Sequence, residues 1–394
     1  MGTLIKLSIS DRIDLIRSIL RPFPDMAEGE DEVVFGRLVD QLGAEDVFAY
    51  LRRRGMVHAA VAAHRKSEVV AAEDGLFWLF REVSVVIRDA HRHELACLAK
   101  AFEAAGVPLI AFKGVAMDAA LANTDAPSFG SDIDILVARR DLDRAVARMR
   151  ELGYVPDLRI RNGKARQMPS QVVEAVEQSV YSFGQCAPLE RLIPIPELAA
   201  QSGRIMQCFP TLFCFSGGQF CLKLSVDLHY TLNHIADDIG TRVKPAEEVW
   251  LNDTQRVDID GVPVATLSPR VLSWLLPHRL YVDAMLLNDT SIKALCHLRL
   301  LQRYDAFDAG HVRHTAQRYP YLAPSLYYVL RAFDQLRGST IGHPGDPEEI
   351  RTAITPLMNV GDCLPTLLDI GIEFTLGDPR QPTGADQPVS VRVW

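Results

Sequence analysis

The sequence predicts an α+β fold, in which a mixed sheet is flanked by helical domains at both ends of the chain. Residues 1–105 place apolar side chains at helical spacing. Residues 106–265 contain short apolar runs and one strictly alternating run, which are typical of strands. Helical spacing returns over residues 266–394, where the tail from about residue 378 is expected to be loose. We therefore expect an N-terminal helical domain, a central domain built on the sheet, and a C-terminal helical domain.

The N-terminal region ends in a long helix. The run "GLFWLFREVSVVIRDAHRHELACLAKAFEAAG" contains no proline and closes at Gly106. Its apolar residues recur at helical intervals, as in Leu79, Val83, Val86 and Ile87. This pattern predicts a helix that packs one face against its neighbours.

The central region opens with alternating strands and helices. "VPLIAF" is a short apolar strand that ends at Lys113 and Gly114, and "VAMDAALAN" after it is a short helix. "DIDILVA" is a second strand. "LDRAVARMRELGY" is a second helix, for which Asp141 is the expected cap and Gly153 the stop.

Residues 155–218 are expected to form an insertion. They are rich in Pro, Gly, Gln and Ser, and they predict one helix, "SQVVEAVEQSVYSF", among extended pieces. The insertion carries four cations, which either meet an anionic substrate or belong to a solvated loop: Arg159, Arg161, Lys164 and Arg166. The run "QFCLKLSVDLHYTL" then alternates strictly, which predicts a half-buried strand of antiparallel type.

Composition excludes several classes of partner. The chain has 394 residues, a formal net charge of −8 and a pI near 5.8, so broad attraction to nucleic acid or to an anionic membrane is not expected. No apolar run reaches the roughly 20 residues that cross a bilayer. The first residues lack a signal-peptide cleavage pattern, which predicts a cytoplasmic protein. The seven cysteines include no C-x-x-C pair, which indicates reduced thiols rather than a zinc site.

Two aspartates on one strand are the first candidate functional residues. In "DIDILV", Asp132 and Asp134 share one face while Ile133 and Ile135 point to the other. Their Cα atoms lie ~7 Å apart along a strand, a span that a divalent cation can bridge. Mg²⁺ prefers one or two carboxylates together with substrate phosphates. The alternative is an exposed strand end with two solvated acids.

A second strand supplies another acid. Alternation in "FCLKLSVDLHY" places Asp227 and His229 on one face near the strand end. If this strand pairs beside "DIDILV", three carboxylates converge, as two-metal phosphoryl transfer requires. Lys113 and Gly114 offer a cation and a tight backbone approach for phosphate, and the alternative is a capped turn that binds no ligand.

The motifs together resemble the uncharacterised nucleotidyltransferases of the DNA-polymerase-β superfamily. That family shows Lys-Gly after a first strand, an Asp-x-Asp-x-Leu-Val strand, a helix ending in Gly-Tyr, and an acid two residues before a His. The resemblance covers residues 105–304 approximately. Its matching positions are Lys113, Gly114, Asp132, Asp134, Asp227 and His229.

The resemblance implies a nucleotidyltransferase fold and Mg²⁺-dependent transfer of a nucleoside monophosphate from a nucleoside triphosphate, with release of pyrophosphate. The implied acceptor is a small molecule or a peptide, and neither nucleic acid nor a membrane is an expected partner. The implied catalytic residues are Asp132, Asp134, Asp227 and His229; the first three would hold a two-metal Mg²⁺ site. The implied triphosphate-binding residues are Lys113, Gly114, Gly130 and Ser131.

One departure from the family leaves alternatives open. Members often carry an Arg shortly before Asp-x-Asp, where this chain has Ser128 and Phe129. A catalytically degenerate protein of the same fold, which binds nucleotide or acts through interactions, is therefore a second interpretation. A third is an Asp/His metallohydrolase that transfers the phosphoryl group to water.

Overall fold

The computed structural model describes residues 7–121, 130–178, 184–233, 242–286, 289, 291–337 and 368. Its N-terminal part is helical, and the long helix expected from the sequence is present. The helices are α1 (Ile9–Leu20), α2 (Glu30–Leu42), α3 (Ala44–Arg53), α4 (Val57–Ala63), α5 (Glu68–Ala71) and α6 (Leu76–Ala104). Gly106, at φ +64°, lets the chain leave α6 in a left-handed turn.

The central part forms an eight-stranded mixed sheet and a separate two-stranded sheet. The strands are β1 (Ile110–Ala111), β2 (Asp132–Leu136), β3 (Val155–Pro156), β4 (Leu158–Arg161), β5 (Lys164–Gln167), β6 (Leu189–Pro194), β7 (Phe213–Ser216), β8 (Gln219–His229), β9 (Thr254–Ile259) and β10 (Val262–Leu267). The large sheet has the order β3-β6-β8-β2-β1-β10-β9, with β7 also paired to β8. The small sheet is the antiparallel pair β4-β5.

Helices connect these strands and continue to the end of the described chain. Those in the central part are α7 (Gly114–Ala120), α8 (Leu142–Glu151), α9 (Ser170–Glu177), α10 (Ser202–Cys208) and α11 (Glu247–Asn252). Those after the sheet are α12 (Pro269–Leu286), α13 (Lys293–Arg303), α14 (Ala309–Arg318) and α15 (Ala323–Arg337). The α+β fold expected from the sequence is therefore confirmed, while the domain boundaries at 105 and 265 stay predictions.

Two hydrophobic clusters hold these layers together. One joins the helices at both ends of the chain, with Leu15 and Leu51 in the same cluster as Leu272 and Leu330. The other lies between the sheet and the second half of α6, where Leu98 and Phe102 pack with Ile133, Ile135 and Val226. Since α6 contributes to both clusters, it ties the helical regions to the sheet.

The strand β8 combines both pairing directions. It is antiparallel to β6 and β7, but parallel to β2. The antiparallel type expected from its alternation is therefore right for two neighbours and wrong for β2. Burial on both faces is the physical reason that the pattern could not separate the two cases, because β8 lies inside the sheet rather than at its edge.

The 155–218 segment is more regular than its sequence suggests. It contributes β3 through β7, so three of its strands belong to the large sheet and two form the hairpin. The expected helix is present as α9, which ends at Glu177. The remainder of that predicted helix, and the tail from residue 378, lie outside the described residues, apart from Gln178 at the helix end.

The cap expected at Asp141 is right in position, because Asp141 directly precedes α8, but not in its bonding. The side chain of Asp141 makes no capping hydrogen bond at the start of α8. Its carboxylate instead accepts a short hydrogen bond from the Arg144 guanidinium, three residues later. The charge pair therefore takes the carboxylate away from the helix N-terminus.

None of the helices in the described part of the chain combines the length and apolar character needed to cross a membrane.

Candidate active site

Strand pairing brings the predicted acids together. In the parallel register of β2 and β8, Asp134 lies opposite Asp227, and Asp132 lies opposite Ser225. Strands neighbour each other at about 4.8 Å, so directly opposite side chains share a face. The convergence of the acids, which depended on this strand pairing, is therefore present. Ile133 and Ile135 are buried in the hydrophobic cluster beneath the sheet.

Asp134 is the most heavily bonded acid of the group. It is 6% exposed, and its Oδ1 accepts a hydrogen bond from Lys113 Nζ at 2.8 Å. His229 Nε2 lies 3.2 Å from the same oxygen. Because a carboxylate only accepts hydrogen bonds, Nε2 carries the hydrogen in this pair. Phe112 packs edge-on against the His229 ring, with centroids 5.0 Å apart, which fixes the ring orientation.

Burial and charge divide the roles of the three acids. Burial raises the pKa of Asp134, but the Lys113 charge and the His229 hydrogen bond outweigh it and hold that pKa well below its usual range. Burial, followed by the charges of Asp132 and Asp134, raises the pKa of Asp227 well above its usual range. Burial also raises the pKa of Asp132, with Asp134 adding to the effect. The site therefore holds more negative charge than Lys113 compensates.

The neighbouring basic groups respond in opposite directions. Burial lowers the pKa of His229 to about 4, against the opposing effect of Asp134, so the ring is neutral at physiological pH. Burial lowers the pKa of Lys113 as well, but the Asp134 carboxylate more than compensates and the net shift is upward. Lys113 is therefore the permanent cation in direct contact with Asp134, while His229 acts as a neutral hydrogen-bond donor.

A divalent metal fits the deeper part of this site. Asp134, Asp227 and His229 each offer a ligand atom, and these atoms lie within 4.8 Å of one another. Carboxylate oxygens suit Mg²⁺, and an imidazole nitrogen suits transition metals better. Asp132, which the sequence analysis placed in the metal set, lies two residues earlier on the same strand face and is half-exposed. Among the described residues, the group of ligand atoms within 4.8 Å of one another therefore contains His229 instead of Asp132.

The predicted phosphate-binding residues gather around the first residue of β2. Gly114 has φ +53°, and a side chain there would contact the Asp132 carbonyl oxygen at 3.9 Å from its Cβ. A Cβ at Gly130 would lie 3.4 Å from the same oxygen, so this backbone approaches closely. Ser131 is exposed beside them, and Lys113 precedes Gly114. All four therefore border the half-exposed end of the acidic site.

Two residues of α6 lie next to these glycines. Arg88 and His91 line a small cavity, of about 10 Å³, together with Gly114 and Gly130. The cavity has room for one water molecule. His91 Nε2 is buried, and no described residue hydrogen-bonds to it. The sequence does not reveal this neighbourhood, because α6 precedes β1 and nothing in its periodicity shows which strand end it meets.

The C-terminal helices bring two more cations near the acids. The charge of Lys293, the first residue of α13, acts on Asp132 and opposes the upward shift of its pKa. The charge of Arg279, in α12, acts on Lys113 and His229. No sequence signal pointed to either residue. The segment that lacks the family's upstream Arg, with Ser128 and Phe129, lies outside the described residues.

A larger cavity lies away from the predicted site. Its volume is about 710 Å³, and it is lined by residues at the start of β1, after the end of β2, and along β10. Examples are Pro108, Arg139 and Val264. Since β1 is antiparallel to β2, this cavity is at the end of the strands opposite to Lys113 and Asp132. It contains none of the residues predicted to be functional.

Comparison with known proteins finds one matching family model. The model describes an uncharacterised nucleotidyltransferase and matches residues 44–338, which include every predicted site residue. No curated protein matches the sequence. Among solved structures, the chain is similar to an antigenic nucleotidyltransferase-like protein from Paracoccidioides brasiliensis, at 10% identity and a TM-score of 0.24, over 64% of this chain and 93% of that chain.

Family membership follows from the sequence match alone, because the model spans well over half of the chain. The resemblance stated from the Lys-Gly, Asp-x-Asp and Asp-x-His motifs is thereby confirmed. The chain belongs to the family of uncharacterised nucleotidyltransferases.

Proposed function

We propose that the protein is a Mg²⁺-dependent nucleotidyltransferase that transfers a nucleoside monophosphate from a nucleoside triphosphate to a hydroxyl of a small molecule or peptide. The observation that carries the proposal is the convergence of three acids on two adjacent strands, with Asp134 directly opposite Asp227. Three acids lie on adjacent strands, and the pKa of Asp227 is raised by burial and then by Asp132 and Asp134. A buried excess of negative charge is costly unless a cation joins it. The reaction proposed here supplies such a cation together with its nucleotide.

The ligand atoms that these side chains offer are suited to a divalent ion. Asp134 and Asp227 would hold it, with His229 or Asp132 completing the set according to the metal. When bound, the ion would neutralise charge on the triphosphate and on the acceptor oxygen during displacement. Magnesium itself is a proposal, because the imidazole nitrogen also suits other divalent metals.

The chain's own residues have distinct parts in this proposal. The acceptor hydroxyl oxygen forms a bond to the α-phosphorus, the bond from that phosphorus to the bridging oxygen breaks, and pyrophosphate leaves with the bond electrons. Asp227 accepts the hydroxyl proton, because it is the acid directly opposite Asp134 where the acids converge. Lys113 holds Asp134 in place through the 2.8 Å contact, and His229 contacts the same oxygen at 3.2 Å. Gly114, Gly130 and Ser131 border the entrance, where the triphosphate would lie.

Calorimetry with each of the four ribonucleoside triphosphates, with and without Mg²⁺, tests the proposal. We expect one or more triphosphates to bind in a metal-dependent way and to raise the melting temperature through linkage. Asp134→Asn and Asp227→Asn should abolish this response while the proteins stay folded. Asp305→Asn is the matched control, because Asp305 is exposed and its φ of +52° is one that Asn also adopts. An unchanged metal response in both site variants would contradict the assignment.

A second candidate function is nucleotide binding without turnover. The observation that favours it is the double occupation of Asp134 Oδ1 by Lys113 and His229, which gives this acid partners in the absence of any metal. Triphosphate binding that does not depend on divalent metal, with no pyrophosphate formed in the presence of candidate acceptors, would favour it over catalysis. Hydrolysis to free monophosphate with no adduct would instead indicate the metallohydrolase.

A further inference from the structure

The hairpin formed by β4 and β5 is held rigidly at both ends. At its base, the backbone N–H of Leu158 donates a short hydrogen bond to Glu190, and Met168 N donates to Asp157 O at 3.0 Å. At its tip, Phe215 N donates to Gly163 O at 3.1 Å. The two-residue loop places Asn162 and Gly163 at φ +52° and +68°, as a type I′ turn requires. The hairpin is therefore a fixed platform and not a loose insertion.

One face of this platform carries only cations. In the antiparallel register, Arg159 lies opposite Arg166, and Arg161 lies opposite Lys164. All four side chains are exposed. The other face holds Leu158, Ile160 and Ala165, which are buried or half-buried, together with the exposed Gln167. We call the four cations the cationic face.

Most of the charge on the cationic face is without an acidic partner. Arg159 is paired with Asp157 through two hydrogen bonds of 2.9 Å. Within the described part of the chain, no acid forms an ion pair with Arg161, Lys164 or Arg166. Like charges directly opposite each other on paired strands destabilise the pair. A protein with a net charge of −8 thus maintains a concentrated positive patch at some cost in stability.

The dimensions of the patch indicate a short anionic segment. Cations two residues apart along each strand are separated by ~7 Å, and the strands by ~5 Å. Alternate side chains of an extended peptide repeat at the same ~7 Å, so acidic residues at every second position match the cations one for one. A patch of this length meets few nucleic-acid phosphates, whereas binding nucleic acid by charge relies on many such contacts. The exposed Phe215, 46% exposed and beside the hairpin tip, offers an apolar contact for such a peptide.

The hairpin base is close to the acidic site. Leu158 is bonded to Glu190, Glu190 lies opposite Ser225, and Ser225 lies opposite Asp132. Two strand spacings separate Glu190 from Asp132, which is about 10 Å. Arg161 and Lys164 lie three residues further along the hairpin, which adds at most ~10 Å, so about six residues of extended chain span from these cations to Asp132.

We propose that the cationic face docks an acidic, extended segment of a peptide, and that this peptide is the acceptor of the transferase. The identification as acceptor rests on the proposed function, whereas the docking itself does not. Recognition would come from charge-assisted contacts of Arg161, Lys164 and Arg166 with carboxylates at alternate positions of the peptide.

Fluorescence anisotropy with a labelled peptide of alternating glutamate and serine tests the docking, in the absence of nucleotide and metal. We expect saturable binding that weakens with salt, and a loss of about tenfold or more in Arg161→Glu/Lys164→Glu. The matched control is Arg65→Glu/Lys66→Glu, an equal change of charge at exposed positions in the turn after α4. An equal loss in the control, or tighter binding of a single-stranded oligonucleotide than of the peptide, would overturn the proposal.

A single substitution separates docking from a structural role. Arg161→Glu places an acid opposite Lys164, so the melting temperature should rise while peptide affinity falls. A rise without any loss of affinity would overturn the proposal. Because no nucleotide is present, this result is independent of the calorimetry with triphosphates, and either proposal can fail while the other stands.

Discussion

The contact between Lys113 and Asp134 is expected to dominate the stability of the metal-free site. Lys113→Met keeps the aliphatic stem but removes the charge 2.8 Å from an oxygen of a carboxylate that is 6% exposed. Breaking a buried pair by removing one partner costs about 3 to 5 kcal/mol. Lys113 is itself 25% exposed and His229 stays bonded to Asp134. These two features reduce the expected loss in the free energy of unfolding to about 2 to 3 kcal/mol.

Replacement of the other partner, Asp134, should reduce the free energy of unfolding by less. Asp134→Asn leaves the Lys113 charge unpaired, but it also removes the repulsion that Asp134 exerts on Asp132 and Asp227. We expect a loss of about 1 kcal/mol, since an ammonium that is one quarter exposed keeps part of its hydration. The double variant, with neither charge, should lose about 1 to 2 kcal/mol instead of the summed loss of about 3 to 4 kcal/mol, which gives a coupling energy of about 2 kcal/mol.

Urea unfolding of the four proteins in the presence of a chelator measures this coupling. The control cycle uses Arg148 and Glu151, an exposed pair 2.7 Å apart on α8, for which the coupling should stay at or below about 0.5 kcal/mol. A coupling for Lys113 and Asp134 no larger than that of the control would refute the reasoning. It would mean that the two charges are solvated separately and that Lys113 does not balance the site.

Three further predictions concern stability away from that contact. Arg161→Glu, which faces Lys164 across the hairpin, should stabilise the fold by about 0.2 to 1 kcal/mol in urea unfolding, and a loss would contradict the register. Gly114→Ala should destabilise the fold by about 1 to 2 kcal/mol, because φ at this position is +53° although a Cβ would meet no close neighbour. An unchanged urea midpoint would refute the expected backbone strain. Burial lowers the pKa of His58 and of His91 to about 4, against 6.5 when unfolded. Their contribution to the free energy of unfolding is therefore complete above pH 6.5, and each contribution falls by roughly 3 kcal/mol as the pH drops to 4. Free energies of unfolding that stay constant between pH 6.5 and pH 4 would contradict this prediction.

Periodicity was sufficient to find the acids of the candidate site. The alternation of "DIDILV" and "FCLKLSVDLHY" assigned Asp132, Asp134 and Asp227 to polar faces, and the structure pairs the two strands so that Asp134 meets Asp227. Side-chain alternation is a local property with a period of two residues, so it survives whatever the strands pack against. The direction of pairing is not local, which is why the parallel relation of β2 and β8 was missed.

The hairpin was missed although the sequence contains its signal. Asn-Gly at positions 162 and 163 joins two short alternating segments, and this dipeptide favours the type I′ turn that the structure shows. The high content of Pro, Gly, Gln and Ser around it suggested an irregular insertion. The anchors of the hairpin, Glu190 at the base and Phe215 at the tip, lie well downstream in the chain and could not be inferred from local pattern.

The contributions of the helical regions could not be predicted either. Arg88 and His91, from α6, line the small cavity beside Gly114 and Gly130, and Lys293 acts on Asp132 from α13. The helical regions share one hydrophobic cluster, so their relative placement follows from packing among residues far apart in sequence. Helical spacing identifies the buried face of each helix, but not its partner.

The same packing explains why His229 joins the compact ligand group. Along the parallel strands, successive rows pair Asp132 with Ser225, Asp134 with Asp227, and Leu136 with His229. On β2, burial increases from Asp132, which is half-exposed, to Asp134, which is 6% exposed, and Leu136, which is buried in the cluster formed by the helices. On β8, Asp227 is half-exposed while Ser225 and His229 are buried. The site is therefore half-exposed at Asp132 and Asp227 and closed at Leu136 and His229.

Under the proposed function, a charged substrate would reach the acids from the half-exposed end of the site, at Asp132. Gly114, Gly130 and Ser131 border that end, and Lys293 acts on the acid that stands there. A triphosphate would consequently meet backbone and cations at Asp132 before its α-phosphorus reaches Asp134 and Asp227. Under the proposed function, Asp132 would be the acid that the nucleotide contacts first, and Asp134, held by Lys113 and His229, would already be in position when the nucleotide arrives.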